Sequence, residues 1–365
     1  DGYTNLQEYQ GHSDALDANS IPSITEIGGI ISANTTLTLA NSPYRITSEV
    51  QVAYGVTLTI EPGVNLIGNT LGIKVFGELN AKGVKSNKIY FDNVHIIPGN
   101  GPTDEYFKMN IEYADISNGS VYYPISNMGI GSIILRDSVL SDILYMYIIY
   151  PSENSSIERN IFIRSGGISV GTSNDIKVVI RNNVFYQQTM GFAISNLASY
   201  SSSETIVEYN SFLSTDLIAL DLPSGYSGAN ISSATNNYWS TSDANLIDSM
   251  IFDRNDDLGV DNYITYIPFL TQPDINTPDI RPYLDTDMDS IPDDIDNCLL
   301  TSNQNQLDTD SDSLGNACDL DDDDDGINDD TDALPLDASE TVDTDGDSIG
   351  NNADTDDDND GIPDS

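Results

Sequence analysis

The last 81 residues of this 365-residue chain hold 29 Asp and Glu and not one Lys or Arg. That much like charge stays compact only if cations supply what the side chains do not. The acids are also ordered. Asp-x-Asp-x-Asp opens at Asp285, Asp308, Asp321, Asp343 and Asp356, in steps of 23, 13, 22 and 13 residues. Neighbouring steps sum to 35 or 36, and that is the true repeat of an array whose units lean on one another. The competing reading is a disordered acidic tail. Such a tail has no reason to keep a two-step period.

The spacing has a chemical consequence. Alternate residues of an extended or looped segment point the same way, so carboxylates at i, i+2 and i+4 converge. Calcium takes six to eight oxygens at about 2.3–2.6 Å, and flexible Asp-rich loops supply them. The candidate ligands are Asp285, Asp287 and Asp289; Asp308, Asp310 and Asp312; Asp321, Asp323 and Asp325; Asp343, Asp345 and Asp347; and Asp356, Asp358 and Asp360. Downstream acids are expected to close the cages: Asp293 and Asp296, Asp319, Asp329 and Asp332, Asp354, and Asp364. Ser290, Ser313, Gly326, Gly346 and Gly361 stand where each loop must turn.

The repeat places the two cysteines. Asp296-Asn297-Cys298 aligns 36 residues on with Asp332-Ala333-Leu334, and Gly315 to Asp319 aligns 35 on with Gly350 to Asp354. Cys298 and Cys318 thus occupy the places of Leu334 and Ala353. A Cys298–Cys318 disulfide in the first unit, replaced by an apolar contact in the second, is expected; a pair of free thiols is the alternative. At the other end, Asp1 to Glu8 fits the second half of an EF-hand loop, with Gly2 as the turn glycine and Glu8 six residues later, where a bidentate Glu belongs. Asp1 and Glu8 join the candidate ligands, and the chain reads as a piece of a larger protein with flanking repeats.

The stretch from Asp285 to Asp364 resembles thrombospondin type 3 repeats. The residues that carry the resemblance are Asp285-x-Asp287-x-Asp289, Asp293-Asp294-Ile295-Asp296-Asn297-Cys298, Asn305-Gln306-x-Asp308-x-Asp310-x-Asp312, Gly315 and Cys318-Asp319. Ser290 and Ser313 depart from the usual Gly, and Leu299 from a frequent Pro. The resemblance implies loops wrapped around strings of calcium ions. The wording of the second unit looks like versions from marine Gram-negative bacteria, which implies a secreted or outer-surface location.

Residues from about 30 to 270 are a different polymer: residues 1–284 carry 30 acids and all 13 bases. Short β-branched and aromatic runs recur, among them Gln51–Val52, Leu58–Ile60, Ile73–Phe76, Ile89–Phe91, Ile133–Leu135, Val178–Ile180 and Ile206–Val207. No helical apolar period survives over a dozen residues. An Asn-like position followed two later by a large apolar one aligns six times. The first set is Ala114, Asp137, Asn160, Asn183, Asn210 and Asn237; the second is Ile116, Val139, Phe162, Phe185, Phe212 and Trp239. Steps of 23 to 27 residues describe the coils of a parallel β-helix, about ten of them, with the Asn ladder starting at Asp137. A β-sandwich is the structural competitor, and a fixed step with an Asn register argues against it. Asn41 to Tyr44, Leu58 to Val64 and Val75 to Gly83 look like the opening coils of secreted bacterial right-handed β-helix proteins, and Asn236 to Trp239, Asp253 to Asp257 and Pro268 to Leu270 like their closing segment.

The expected architecture is all-β: a calcium-loop remnant and linker at 1–28, a right-handed parallel β-helix at 29–272, a linker at 273–284, and an irregular calcium-wrapped array at 285–365. An excess of 59 acids over 13 bases excludes a nucleic-acid surface, which needs clustered Lys and Arg. No apolar run is long enough to span a membrane.

Two function classes stay open. One is an extracellular structural or adhesive module that binds calcium, with a polysaccharide or further copies of itself as partners. The other is a polysaccharide lyase or glycoside hydrolase with the repeats as a spacer. For the second, Arg136, Arg159 and Arg181 with Glu112, Glu158 and Glu208 would line a groove for an acidic sugar; the plainer reading is charge pairing between coils. Asp216 and Asp221, and Asp253, Asp256 and Asp257, read as loop-finishing acids or a further calcium site. His12 and His95 read as structural or exposed. The tyrosines Tyr122, Tyr123, Tyr145, Tyr147 and Tyr150 suit either sugar stacking or internal ladders.

Overall fold

The computed structural model describes residues 24–99, 107–117, 125–127, 131–149, 151–152, 155–171, 176–189, 191–198, 204–214, 217–225, 228–231, 233–287, 289 and 291–363. Asp1, Glu8, His12, Tyr122, Tyr123, Tyr150, Asp216 and Asp364 lie outside this set. The chain divides into two compact units, Asp1–Pro278 and Asp279–Ser365.

The first unit is a parallel β-solenoid. One face is an eight-stranded parallel sheet: Thr35–Leu37, Thr57–Ile60, Glu78–Lys82, Phe107–Glu112, Gly131–Arg136, Ser156–Glu158, Lys177–Arg181 and Glu204–Glu208. A second sheet of seventeen strands covers the other two faces. Thr25–Ile31 and Tyr44–Val52 each run along both of these faces, and a register shift between Ile27 and Gly29 marks the bend. Beyond them the two faces separate. One begins at Asn65–Ile67 and Ile89–Asp92, the other at Gly72–Val75 and His95–Pro98. At its deepest the stack is ten strands, from Thr25–Ile31 to Ile251–Phe252, or roughly 43 Å at about 4.8 Å per step.

Period-two patterning fills the bore. On the eight-stranded face, Leu58 and Ile60, Leu79 and Ala81, Met109 and Ile111, Ile133 and Leu135, and Val178 and Ile180 are buried; the residues between them, Thr59, Asn80, Asn110, Ile134 and Val179, are only partly buried. The next face stacks one side chain per coil: Leu66, Phe91, Ile116, Leu140, Phe162, Phe185 and Phe212, in direct strand register. The rings of Phe162 and Phe185 lie 4.9 Å apart and 9° from parallel; Phe185 and Phe212 are 5.4 Å apart, and Phe212 and Trp239 4.8 Å. The column repeats at strand spacing because each ring is fixed to its own strand. Truncating Phe185 to Ala at this fully buried position is expected to cost about 3–5 kcal/mol, and Phe185→Leu well under half of that. Chemical denaturation followed through Trp239, the single tryptophan, measures both.

The corner into that column differs from the sequence expectation by one residue. The buried ladder is Ala114, Ser138, Asn160, Asn183, Asn210 and Asn237. Asp137 stands one place earlier, in the left-handed conformation (φ 52°), as do Tyr113, Arg159, Asn182, Tyr209 and Asn236. From Ser138 on, each ladder side chain accepts the backbone N–H of the coil before it, at 2.8–3.0 Å, and Ala114 contributes only its amide. Each Asn also donates to a main-chain oxygen of the preceding coil: Asn160 to Leu135, Asn183 to Ile157, Asn210 to Ile180 and Asn237 to Val207. The turn therefore pays its conformational cost of about 1–2 kcal/mol for a non-glycine left-handed residue with a fully bonded, dry neighbour. Val139 likewise yields its place in the apolar column to Leu140.

Candidate metal centre

The second unit has almost no regular secondary structure and buries one hydrophobic residue, Cys298, among its described residues. Its order comes from carboxylates turned onto backbone amides. In all five loops the third acid of the triad accepts the amide two residues on: Ile291, Leu314, Ile327, Ile349 and Ile362 donate to Asp289, Asp312, Asp325, Asp347 and Asp360 at 2.7–2.9 Å. The second acid accepts the amide of the third, at 3.0–3.3 Å. Among the described residues, in the loops opening at Asp308, Asp321, Asp343 and Asp356 the first acid accepts from the amide five residues on, as Asp321 does from Gly326 at 3.0 Å. These bonds bend each loop into a cup.

Four cups are closed by two further bonds. The ninth residue sends its amide back to the residue before the loop: Asp293 to Leu284, Asn316 to Leu307, Asp329 to Leu320 and Asn351 to Val342. Its side chain accepts from the amide of the second residue: Asp293 from Thr286, Asn316 from Thr309, Asp329 from Asp322 and Asn351 from Thr344. Asp293 uses both oxygens on Thr286, at 2.6 and 2.7 Å. The ninth position therefore braces the loop, and Asn fills it as well as Asp does.

The consequence is a set of convergent oxygens. Each of the triads Asp285/Asp287/Asp289, Asp308/Asp310/Asp312, Asp321/Asp323/Asp325, Asp343/Asp345/Asp347 and Asp356/Asp358/Asp360 offers one carboxylate oxygen per residue, all within 4.8 Å of one another. That is the diameter of a ligand shell about 2.4 Å from a central cation. Asp287 Oδ2, Asp321 Oδ1, Asp323 Oδ2, Asp325 Oδ2 and Asp332 Oδ2 are shut off from solvent and receive no hydrogen bond. An oxygen anion that meets neither water nor a donor is stabilised by a cation or by a proton. Loss of solvent raises Asp323 above the usual carboxylate range, and the charges of Asp325, Asp332 and Asp321 add to the rise, against the Asp325 amide. Loss of solvent raises Asp287 too, with Asp289, Asp296 and Asp285 pressing the same way. The donor set thus fits a hard dication with oxygen ligands.

In the first four cups the twelfth residue is an acid, Asp296, Asp319, Asp332 or Asp354. Asp332 gives Oδ1 to the amide of Leu334 at 2.9 Å and leaves Oδ2 toward the cup. Asp296 holds Cys298 N and Gln306 Nε2, each at 2.8 Å. Asp319 and Asp354 accept the amides of Asp321 and Asp356, the first residues of the next cups. Cys298 and Cys318 form the disulfide, with Cα atoms 5.8 Å apart. It joins the exits of the first two cups.

One residue had no counterpart in the sequence reading. Glu340 is 4% exposed and accepts the amide of Asn352 at 2.9 Å. Gly350 makes room for it, since a Cβ there would lie 2.1 Å from Glu340 Oε2. In the first of the two 35-residue repeats Asn297 fills the same space over Gly315. The alignment of Gly315 with Gly350 was visible in the sequence; that two different polar side chains cover them was not.

On the solenoid several charged residues pair. Lys82, Glu112, Arg136, Glu158, Arg181 and Glu208 stand in one register row of alternating sign. Lys82 meets Glu112 at 2.9 Å and Arg136 meets Glu158 at 3.6 Å. Arg159 clamps Asp137 with two bonds of 2.7 Å, and Arg164 clamps Asp142 with two of 2.9 Å. Asp253 is buried with its carboxylate on the amides of Asn255 and Ile264, as a loop brace. Asp221 accepts from Ser195 Oγ at 2.7 Å; burial raises its pKa and that bond opposes the rise. Burial lowers the pKa of His95, which packs against Gly72. Tyr145 leans on Tyr147 and Phe192.

Residues 284–306 and 307–341 match the thrombospondin type 3 repeat family. This segment is a run of those calcium-binding repeats, and it contains the first three cups. The cups opening at Asp343 and Asp356 lie beyond the match and have the same triad geometry. Comparison with curated proteins and with solved structures gives no match. No helix among the described residues is long and apolar enough to cross a membrane.

Proposed function

We propose that the chain is an extracellular structural or adhesive module of a bacterium, marine and Gram-negative by the wording of its repeats. In this reading calcium ions rigidify the acidic repeats, and the solenoid is a rod or ligand-binding surface. The observation that carries it is the set of five aspartate triads whose oxygens converge with no basic residue in the last 81 positions. The ligands are the triad acids together with Asp296, Asp319, Asp332 and Asp354; Asp293 and Asp329 brace the loops. Asp364, Asp1 and Glu8 belong to the same proposal on sequence grounds. Partners are calcium, then a polysaccharide or further copies of this chain. Of the arginines that a lyase or hydrolase would recruit, Arg136 and Arg159 are engaged with acids of neighbouring coils and Arg181 stands in register beside Glu208, which favours the structural reading over the catalytic one.

Calcium titration of the whole chain tests it. At millimolar calcium, the range of extracellular modules, several ions are expected to bind per chain. Asp323→Asn removes one charge from the most enclosed triad without changing its shape. It is expected to weaken that one site at least tenfold and leave the others in place. Binding of no ions, or an unaltered isotherm for Asp323→Asn, would contradict the assignment.

A further inference from the structure

The outer row of the eight-stranded face contains an acid and a base that do not close. Thr57, Glu78 and Lys108 stand in register on neighbouring strands. Some acid–base neighbours related in the same way on this face form ion pairs, Lys82 with Glu112 at 2.9 Å, Arg136 with Glu158 at 3.6 Å and Lys177 with Glu204 at 3.6 Å, while others, such as Arg181 and Glu208, stand in register without one among the described residues. No ion pair joins Glu78 to Lys108 among the described residues. Both instead line a cleft of 340 Å³ whose wall includes Tyr54 and Phe76. The two rings meet edge to face, with centroids 5.3 Å apart at 63°.

Two glycines line the cleft. A Cβ on Gly77 would lie 2.2 Å from the carbonyl oxygen of Val56 and 2.4 Å from that of Ala53. Gly55 holds φ +68° with nothing within 4 Å of where its Cβ would be. The turn at Gly55 adds no side chain to the lining.

We propose that this cleft is a subsite for one pyranose residue of a neutral glycan. The inference rests on the reading of the solenoid as a ligand-binding surface and names the ligand class. The volume suits one small ring. Aromatic side chains offer apolar area to the C–H face of a sugar. Adjacent hydroxyls on one ring can donate to the Glu78 carboxylate and accept from the Lys108 ammonium together, which are charge-assisted bonds of the stronger kind. The acid and the base cancel, so the subsite has no net attraction for a polyanion. The chain's 59 acids against 13 bases set its long-range field against one as well.

Calorimetry on the whole chain with neutral gluco-, manno-, galacto- and xylo-oligosaccharides tests this, in calcium and again in chelator. One series is expected to bind, equally in both media because the cleft lies in the first unit. Glu78→Gln and Lys108→Gln are each expected to weaken binding at least tenfold with the melting temperature unchanged, and Tyr54→Ala to do the same. Binding that survives both charge variants would keep the solenoid as a ligand surface and overturn the cleft. No binding by any series, or binding of free amino acids in place of sugars, would overturn the glycan subsite and leave the calcium-stiffened rod to its own titration.

Discussion

Replacing Asn183 by Ala is expected to destabilise the solenoid by about 3–5 kcal/mol, as much as removing a core phenylalanine. The side chain is fully buried. Its Oδ1 accepts from Asn160 N at 2.9 Å and Asn160 Nδ2 at 3.0 Å, and its Nδ2 donates to the Ile157 carbonyl at 2.9 Å and Asn210 Oδ1 at 3.0 Å. Asn160 Nδ2 keeps Leu135 O, and Asn210 Oδ1 keeps the Asn183 amide. The Asn160 amide and the Ile157 carbonyl lose their only named side-chain partner in a place water cannot reach. Asn183→Asp sharpens the test. It keeps the acceptor but sets a carboxylate against two oxygens, so its folded-state pKa is raised above the ordinary Asp value. Such a group costs stability as pH rises through the unfolded pKa, and the cost is relieved at lower pH, where it is protonated in both states. The stability gap between Asn183→Asp and the parent should therefore narrow as pH falls. Denaturant midpoints read through Trp239 at two pH values measure it. A midpoint shift below about 1 kcal/mol for Asn183→Ala would mean that the corner holds without its ladder.

The same corner shows how far the sequence could be read. The coil period and the aromatic column were legible because Phe162, Phe185, Phe212 and Trp239 repeat beside Asn at every turn. The start of the ladder was not, because two adjacent positions both favour Asn or Asp. The left-handed corner tolerates them through local hydrogen bonding, and the buried ladder position needs their amide. Asn182-Asn183 and Asn236-Asn237 fill both places; Asp137-Ser138 splits them, and a serine hydroxyl does the amide's work. In the repeats the triads were legible from i, i+2, i+4 spacing, but the ninth and twelfth residues looked alike as acids. Only hydrogen bonding separates Asp293, which braces Thr286, from Asp332, which keeps an oxygen for the cup. The Glu78–Lys108 cleft left no trace in the sequence, since its residues come from coils of unequal length, 21 and 30 residues apart along the row Thr57, Glu78 and Lys108.

Removing calcium should have the largest effect of any change of conditions, and it should be confined to the second unit. That unit buries almost no apolar side chain, so no hydrophobic term offsets what the cations supply. Every loop sets three carboxylate oxygens within 4.8 Å of one another, and no Lys or Arg follows residue 284 to neutralise them. In chelator the 81 residues become a polyanion. An unfolded chain of that length has a radius of gyration of roughly 28 Å, against roughly 12 Å if compact, and self-repulsion extends it further. Small-angle scattering of the whole chain is expected to show a clear rise in radius on adding chelator, reversed by excess calcium. Trp239 fluorescence should stay constant, because the solenoid's order comes from apolar burial and the Asn ladder. The Cys298–Cys318 crosslink spans 20 positions and limits the expansion of the segment that holds the second cup. In the chain-entropy view a loop of that size contributes roughly 3 kcal/mol. Reductant alone should change little in saturating calcium, while reductant added to chelator should expand the chain beyond chelator alone. An unchanged radius in chelator would mean that the cups hold their shape against their own charge and that calcium is not what stiffens the repeats.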